Sequence, residues 1–491
     1  MEAIIGAVND LIWSRALIGL CLGIGLYFSI RTRFMQVRGF REMIVLMFRG
    51  EKSASGVSAF QALAMSLSGR VGIGNIAGVA TAIAYGGPGA VFWMWTVAFL
   101  GASTAYVEST LAQIYKEKDD HGQYRGGPAY YIEKAMGQKW YAWTFAVATV
   151  IAAGLLLPGV QANGIAASMN TAWGVPPMAT AAALALTLAF IIFGGVRRIA
   201  SFAEVVVPFM ALTYILVALA ILLMNVSRVP EVFSLIFRSA FGAEAAFGAV
   251  LGLAVEWGVK RGVYSNEAGQ GTGPHPAAAA EVSHPAKQGY VQAFSIYVDT
   301  LLVCSATAFM ILSTGMYNVI KPGGGMLLEQ LPGISPGPGF AQAAVESVLP
   351  GYGAGFVAIA ILFFAFTTIV AYYYMAETNI AYINRKMHRP WMTLALRIGI
   401  LIAVAYGTVR SASTAWALGD IGVGLMAWLN LIAILILQKP ALLCLKDYEA
   451  QKKAGLDPVF DPDALGIRNA DDLWRQKLRE KAGAQGRGSE A

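Results

Sequence analysis

The sequence predicts an all-α polytopic membrane protein with about eleven transmembrane helices, and two observations carry that reading. Of 491 residues, 57% are hydrophobic and only 13% are charged, where a soluble domain carries about 25% charged residues. The apolar residues also gather into runs near the length of about 20 that a helix needs to cross a hydrocarbon core about 30 Å thick. Those runs lie at residues 11–30, 56–85, 89–115, 140–157, 178–195, 202–226, 243–264, 290–315, 352–376, 391–408 and 412–437. Cys21, Cys304 and Cys444 are far apart and form no CxxC pair. A disulfide framework and a cysteine zinc site are both unsupported.

The first run is a membrane helix rather than a cleaved signal. Glu2 and Asp10 precede it in place of a basic region, and no AxA-like site follows. Residues 31–50 interleave arginines with Phe34, Val37, Phe40, Ile44, Leu46 and Phe48. This segment is an amphipathic helix lying on the inner membrane surface, or else a basic loop.

Lysine and arginine set the orientation. With the N-terminus outside, the inside segments 31–52, 116–139, 197–198, 260–287 and 385–389 hold 19 basic residues. The outside segments hold 4, namely Arg228, Arg238, Lys321 and Arg410. The bias places the C-terminus in the cytoplasm, and the net charge of +7 becomes a cytoplasmic-face signature rather than a sign of nucleic acid. The tail from Lys439 carries 10 basic and 9 acidic residues. It is expected to be a polar extension, helical over DDLWRQKLREK and disordered beyond.

Two runs are poor helices. SLSGRVGIGNIAG, residues 66–78, places Gly69, Gly72 and Gly74 around Arg70. The seventh run holds Gly248, Gly252 and Gly258 with Glu244 and Glu256 in or near it. Each glycine costs about 1 kcal/mol of helix against alanine, and an unshielded arginine at membrane depth costs at least about 2.5 kcal/mol. A discontinuous helix offsets those costs, because its freed N–H groups attract a carboxylate and its freed carbonyls a small cation. The alternative is close helix packing of the GxxxG kind. With the first run set aside, the breaks fall in core helices one and six of ten. That predicts two inverted five-helix repeats, residues 56–226 and 243–437, flanked by an N-terminal segment, residues 1–55, and a tail, residues 438–491. This is the layout of an alternating-access transporter with a midplane site.

Several segments resemble the alanine/glycine:cation symporter family. They are GRVGIGNIAGVATAIAYGGPGAVFWMW (69–95), RGGPAYYIEKAMG (125–137), VQANGIA (160–166), KRGVYSNEAGQG (260–271), FAFTTIVAYYYMAE (364–377) and GLMAWLNLIAIL (424–435). The matches follow one another along most of the chain. Three places depart from the family pattern: Ile73 in GIGN, Glu256-Trp257-Gly258 where MQG is usual, and YYYMAE. The resemblance implies a LeuT-like fold and uptake of small neutral amino acids, such as alanine or glycine, with Na⁺ as coupling ion. It implies no other cofactor and no obligate protein partner. The expected location is the bacterial inner membrane, with the lipid bilayer as solvent and no role for nucleic acid.

The same resemblance implies a sodium site at the carbonyls of Ser68 and Val71 and the hydroxyls of Thr367 and Thr368. A bland reading of the threonine pair is hydrogen bonding within its own helix. The amino-acid site is expected at Gly72, Ile73, Gly74 and Asn75, facing Phe247, Gly248 and Gly252. Gln161 and Asn163 are candidate contacts or interhelical hydrogen bonds, and Trp257 narrows the pocket or is an interface aromatic. Glu108, Asp299 and Asp420 are intramembrane carboxylates and so functional candidates. Glu256 is expected to be a proton site, a second cation ligand, a partner of Arg70 or a vestibule residue. RGGP and SNEAGQG are expected to be turn and gate elements.

Other classes lack their motifs. No GxxxxGK[ST] supports an ATP-driven pump, and no HExxH or GxSxG supports an enzyme. His121, His275, His284 and His388 form no catalytic or metal motif. A proton-coupled carrier is the alternative within the transporter class, and a channel is the alternative outside it.

Overall fold

The computed structural model describes residues 2–49 and 55–488. Among these residues the chain is mostly helical, with two small antiparallel hairpins, β1 (Glu117–Lys118) with β2 (Tyr124–Arg125) and β3 (Asn318–Ile320) with β4 (Met326–Glu329). The order of helices is α1 (Ile4–Arg31), the surface helix α2 (Phe40–Phe48), and the bent pair α3 (Ala59–Arg70) and α4 (Gly74–Gly86). Then come α5 (Ala90–Ile114), α6 (Lys139–Trp173), the shorter α7 (Pro177–Ile192), α8 (Gly195–Met224), α9 (Val229–Ala240) and α10 (Leu251–Asn266). The series closes with α11 (Pro285–Thr314), α12 (Gly353–Asn384), α13 (Trp391–Thr408), α14 (Ala412–Lys453) and α15 (Asp472–Gly488). Eight of them are long and apolar enough to cross a bilayer, and the bent pair makes a ninth candidate. The chain is a polytopic helical membrane protein.

Burial sorts the helices into a centre and a periphery. α5, α11 and α12 are buried on most of their surface, whereas α8 and α13 turn most residues outward. Phe209, Leu216 and Leu223 on α8 stand exposed, which suits a helix dissolved in lipid and not one bathed in water. Glycines hold the closest crossings. A Cβ on Gly258 would lie 2.5 Å from the Ala90 carbonyl oxygen, and one on Gly262 would lie 2.4 Å from Val97 Cγ1. Gly407 abuts Gly159 in the same way, with 2.2 Å to its Cα. Close packing is thus the role of the α10 glycines Gly258 and Gly262.

Three boundaries differ from those expected. The run at 140–157 continues as α6 to Trp173, because Gln161 and Asn163 find partners inside the bundle and the polar stretch stays helical. The run at 412–437 continues as α14 through Pro440 to Lys453. The run at 243–264 is a 3₁₀ turn, Ala245–Val250, followed by α10, which ends only at Asn266. Lys260 and Arg261 are therefore buried helix residues and not loop charges. Arg261 donates to both oxygens of Asp420 at 2.8 and 3.0 Å, and Lys260 Nζ lies 3.0 Å from the same carboxylate. Asp420 thereby joins α14 to α10, and its backbone carbonyl accepts from the Trp13 indole at 2.8 Å.

The basic segment after α1 forms a short turn, Met35–Arg38, and then α2. Met35, Met43 and Leu46 are buried, while Phe34, Val37 and Phe40 are exposed beside the arginines. Residue 50, the last of that expected element, lies outside the described residues.

The tail is not a free extension. Phe460 N–H donates to the Ser283 carbonyl at 3.0 Å, and Ser283 Oγ donates to the Pro458 carbonyl at 2.8 Å. Lys134 meets Asp471 at 3.0 Å, Lys477 pairs with Glu281, and the Trp474 indole donates to the Gln113 carbonyl at 3.3 Å. Trp474 is 1% exposed and packs edge-on against Phe460, with ring centroids 5.1 Å apart. Two aromatic side chains in a polar segment supply the burial that its overall composition conceals. Residues 489–491, within the stretch expected to be disordered, lie outside the described residues.

Trp474→Ala should release this strap, since truncating a buried tryptophan costs about 3–5 kcal/mol locally. Limited proteolysis of membrane-inserted protein should then cut residues 454–480 faster than in the unmodified chain. An unchanged cleavage rate would show that Trp474 does not hold the segment.

Candidate functional site

The site grows out of the gap between α3 and α4. α3 begins with a reciprocal cap, in which Ser58 Oγ accepts from Gln61 N–H at 3.1 Å and Gln61 Oε1 accepts from Ser58 N–H at 3.0 Å. It stops after Arg70, and Val71 leaves helical geometry at ψ 84°. α4 opens with a π turn, Gly74–Gly78, and its axis lies 51° from that of α3. Such a break leaves main-chain groups without helical partners, and buried polar groups need partners.

Side chains from three elements supply them. Gly72 N–H donates to Asn75 Oδ1 at 2.8 Å, and Ile73 N–H donates to Gln161 Oε1 of α6 at 2.9 Å. Thr368 Oγ1 of α12 lies 2.8 Å from the Ser68 carbonyl oxygen and 3.4 Å from that of Val71. Gly72 has to be glycine, since a Cβ there would stand 2.5 Å from Thr368 Oγ1 and 2.9 Å from Gln161 Oε1. Gly74 faces α10, with its Cβ position 3.2 Å from Tyr264 Cδ1 and 3.3 Å from Ser265 Cα.

Asn75 carries the network into α11. Its amide donates to Asp299 Oδ1 at 2.6 Å and contacts Cys304 Sγ at 3.3 Å. Asp299 sits in another π segment, Tyr297–Cys304, a helical irregularity frequent at functional sites. It also accepts from Ser265 at 3.1 Å and from Thr300 at 2.7 Å.

The expected site residues divide into two sets. Ser68, Val71, Gly72, Ile73, Gly74, Asn75, Gln161 and Thr368 are brought together around the break. The others are placed elsewhere. Thr367 Oγ1 donates within its own helix, lying 2.9 Å from Phe364 O and 3.0 Å from Phe363 O, and it also lies 3.8 Å from Met210 Sδ. Asn163 donates to the carbonyls of Gly407 and Arg410 at 3.0 and 2.7 Å, an interhelical tie to α13 and the turn that follows it. Trp257 stacks on Tyr85 at 4.5 Å, with the Arg261 guanidinium 5.1 Å from its ring.

Phe247, Gly248 and Gly252 correct the expected geometry. Phe247 lies against Gly87, whose Cβ position is 3.6 Å from its ring, and the Gly248 and Gly252 Cβ positions have no neighbour within 4 Å. At 1.5 Å per helical residue Gly252 stands about 20 Å along α10 from Ser265, and Phe247 and Gly248 lie in the turn before that helix. The two breaks therefore do not face each other. The second break precedes α10, and close packing on α5 uses Gly258 and Gly262, so α10 runs continuously and presents Tyr264 and Ser265 to the first break.

The ionisable residues also sort differently from expectation. Arg70 donates to Gln292 Oε1 at 3.2 Å and to Ser295 Oγ. The carboxylates acting on it are Glu267, Glu108 and Asp299, and Glu256 is not among them. Glu256 is half-buried on α10. Tyr264, Ser265, Glu267, Gln292 and Ser295 belong to this neighbourhood and were not expected in it. Glu267 carries a legible signal, a lone acid beside glycines in SNEAGQG, but the glycines favour a turn reading. Among the described residues no three His, Cys, Asp or Glu side chains gather as a metal cluster. The break offers main-chain N–H groups, carbonyls, two amides and a hydroxyl, which suits reversible binding.

Gln161→Leu should leave the Ile73 N–H buried without an acceptor, at a cost of about 1–3 kcal/mol. Thermal unfolding of the detergent-purified protein should show a lower midpoint. An unchanged midpoint would show that water or another side chain replaces Gln161.

Comparison with known proteins sets this fold among membrane carriers. Residues 1–462 match the model of the Sodium:alanine symporter family. A Bacillus subtilis (strain 168) protein, provisionally named a sodium/proton-dependent alanine carrier, is 65% identical over 482 residues, 98% of this chain and 99% of that one. The sodium/proton-dependent alanine carrier protein of Bacillus sp. (strain PS3) is 57% identical, covering 90% of this chain and 99% of its own. The sodium/alanine symporter of Methanococcus maripaludis is 37% identical, covering 89% and 94%. With its helices, its broken span and these likenesses taken together, the chain belongs to the sodium:alanine symporter family and is a membrane transport protein, not an enzyme.

Proposed function

We propose that the chain takes up a small neutral amino acid, alanine or glycine, in symport with Na⁺ by alternating access. The observation that carries this reading is the opened backbone between α3 and α4, whose N–H groups and carbonyls are held by movable side chains. A substrate carboxylate competes with Asn75 and Gln161 for the N–H groups of Gly72 and Ile73, aided by the positive end of α4. Asn75 then orients the amino acid toward the Ser265–Asp299 side. Na⁺ sits where the Ser68 and Val71 carbonyls and Thr368 Oγ1 converge. A hard cation favours about six oxygens, and rotation of Thr367 toward the break adds a fourth protein ligand.

Na⁺ in that position bridges α3 and α12 and stiffens the gap that receives the amino acid. Each ligand then raises the affinity of the other by the same factor. In this reading the chain has about eleven transmembrane helices in a LeuT-like arrangement, with inverted repeats at 56–226 and 243–437. Residues 1–55 and 438–491 flank it. Phe247, Gly248, Gly252 and Trp257 form the outer approach, Asn163 braces α6, the N-terminus is outside, and the tail is cytoplasmic at the bacterial inner membrane. Proton coupling is the second reading, favoured by the names of the two Bacillus relatives.

Reconstitution in liposomes with separately imposed Na⁺ and H⁺ gradients tests the proposal against alanine, glycine, serine and glutamine. Saturable alanine uptake driven by the Na⁺ gradient is expected, and non-saturating flux would indicate a channel. Thr367→Ala with Thr368→Ala should abolish Na⁺ stimulation while the protein still inserts. Unaltered Na⁺ dependence in that double variant would remove the cation site from this position.

A further inference from the structure

Behind the break lies a second cluster. Arg70, Glu108, Glu267 and Asp299 are each no more than 1% exposed. Three carboxylates surround one guanidinium, so the cluster holds two negative charges in excess when every group is ionised. An uncompensated buried charge is strongly unfavourable, so how each carboxylate is satisfied decides which one is neutral.

Two of the three are fully engaged. Glu108 accepts from Gly269 N–H at 3.3 Å, Gly271 N–H at 3.2 Å and Asn430 Nδ2 at 2.7 Å. Asp299 accepts from Asn75, Ser265 and Thr300 as described above. Glu267 differs, because among the described residues neither of its carboxylate oxygens has a partner at hydrogen-bond geometry, and only the hydroxyls of Thr272 and Tyr372 act on it as neutral donors. It occupies the left-handed position at φ 58° just past the end of α10, and its Oε2 lies 3.3 Å from the Cβ position of Gly69. It thus presses on α3 one residue before Arg70.

Arg70 is incomplete in the complementary sense. Its Nη1 is engaged, but Nε and Nη2 have no acceptor. Two buried donors and two buried acceptors are neighbours without being in ion-pair contact. The groups that act on Glu267 are Arg70 from α3, Glu108 from α5, Asp299 from α11, and the phenols of Tyr264 on α10 and Tyr372 on α12. A proton satisfies Glu267 without enlarging the charge beside Arg70. A sodium ion would need about six oxygens and would add a second positive charge beside the Arg70 guanidinium.

We propose that Glu267 is a proton-carrying site coupled to transport. In the arrangement seen here the carboxyl holds the proton and stands apart from Arg70. When α3 moves at its break, the O–H bond of Glu267 breaks, the proton passes to water, and the carboxylate closes on the free N–H groups of Arg70. This inference rests on the symport reading and adds a cargo ion to it.

The test uses the full chain in liposomes containing a pH indicator, with alanine–alanine exchange measured in parallel. Alanine added outside should drive proton entry in the unmodified protein. Glu267→Gln should retain measurable exchange while alanine-driven proton entry falls to the level of protein-free liposomes. If E267Q loses both, E267D should restore both, because a shorter carboxyl still carries a proton; failure to restore them overturns the proposal. Proton entry that persists in E267Q overturns it too. Unmodified protein that exchanges alanine but shows no alanine-driven proton entry overturns this inference and leaves amino-acid transport intact. Absence of exchange with every amino acid tried would instead sink the transport reading itself.

Discussion

A main-chain amide in a low-dielectric interior must find a partner, and this requirement organises the middle of the molecule. Opening the chain at Val71–Ile73 frees several such groups at once. Asn75, Gln161 and Thr368 answer them from within α4, from α6 and from α12. Those side chains bring helices together whose apolar faces alone would not specify a register, since lipid solvates a leucine as well as a neighbouring helix does. The glycines serve the same end, because Gly72 and Gly74 admit their partners only for want of a side chain.

Charge is handled in two contrasting ways. Asp420 meets Arg261 and Lys260 at 2.8–3.0 Å and ties α14 to α10, with α1 attached through Trp13. Breaking such a pair strands a buried charge, so it acts as a rivet. The Arg70 cluster is looser, with donors and acceptors left over on both sides. Opposite charges closed to ion-pair distance favour one arrangement, whereas charges held apart leave a second within reach. The first kind lies between helices that hold together, the second against the helix that is interrupted.

Much of this was legible in the residues. Composition and run length point to the membrane class, and clustered glycines around Arg70 mark the first break. The quartet Gly72–Asn75 lies at that break, whereas the oxygens near Thr368 were implied only by the family resemblance. The second break was misplaced because a glycine in a span has two uses. Gly72 opens a backbone, while Gly258 and Gly262 let α5 come close, and only the identity of the opposing atoms separates the two. Thr367 and Asn163 were ambiguous for a related reason, since rotamer and helix phase decide which neighbour a side chain meets. Lys260 and Arg261 passed for loop cations because their counter-ion, Asp420, is 159 positions from Arg261 in sequence. The tail passed for a polar extension, with its helix foreseen but not its docking, because average polarity hides a Trp474 and a Phe460 that bury themselves.

That strap has a consequence for biogenesis. Its anchors are Gln113, Lys134, Glu281 and Ser283, contributed by both the early and the late stretches of the chain. These anchors emerge from the ribosome long before the segment that clasps them. Until translation terminates, the ends of α5, α6 and α11 on that face lack their final fastening. A polypeptide truncated near residue 450 would therefore enter the bilayer complete in its spans yet unlatched on one side. Quality-control proteases that survey that face would meet the difference as an accessible loop.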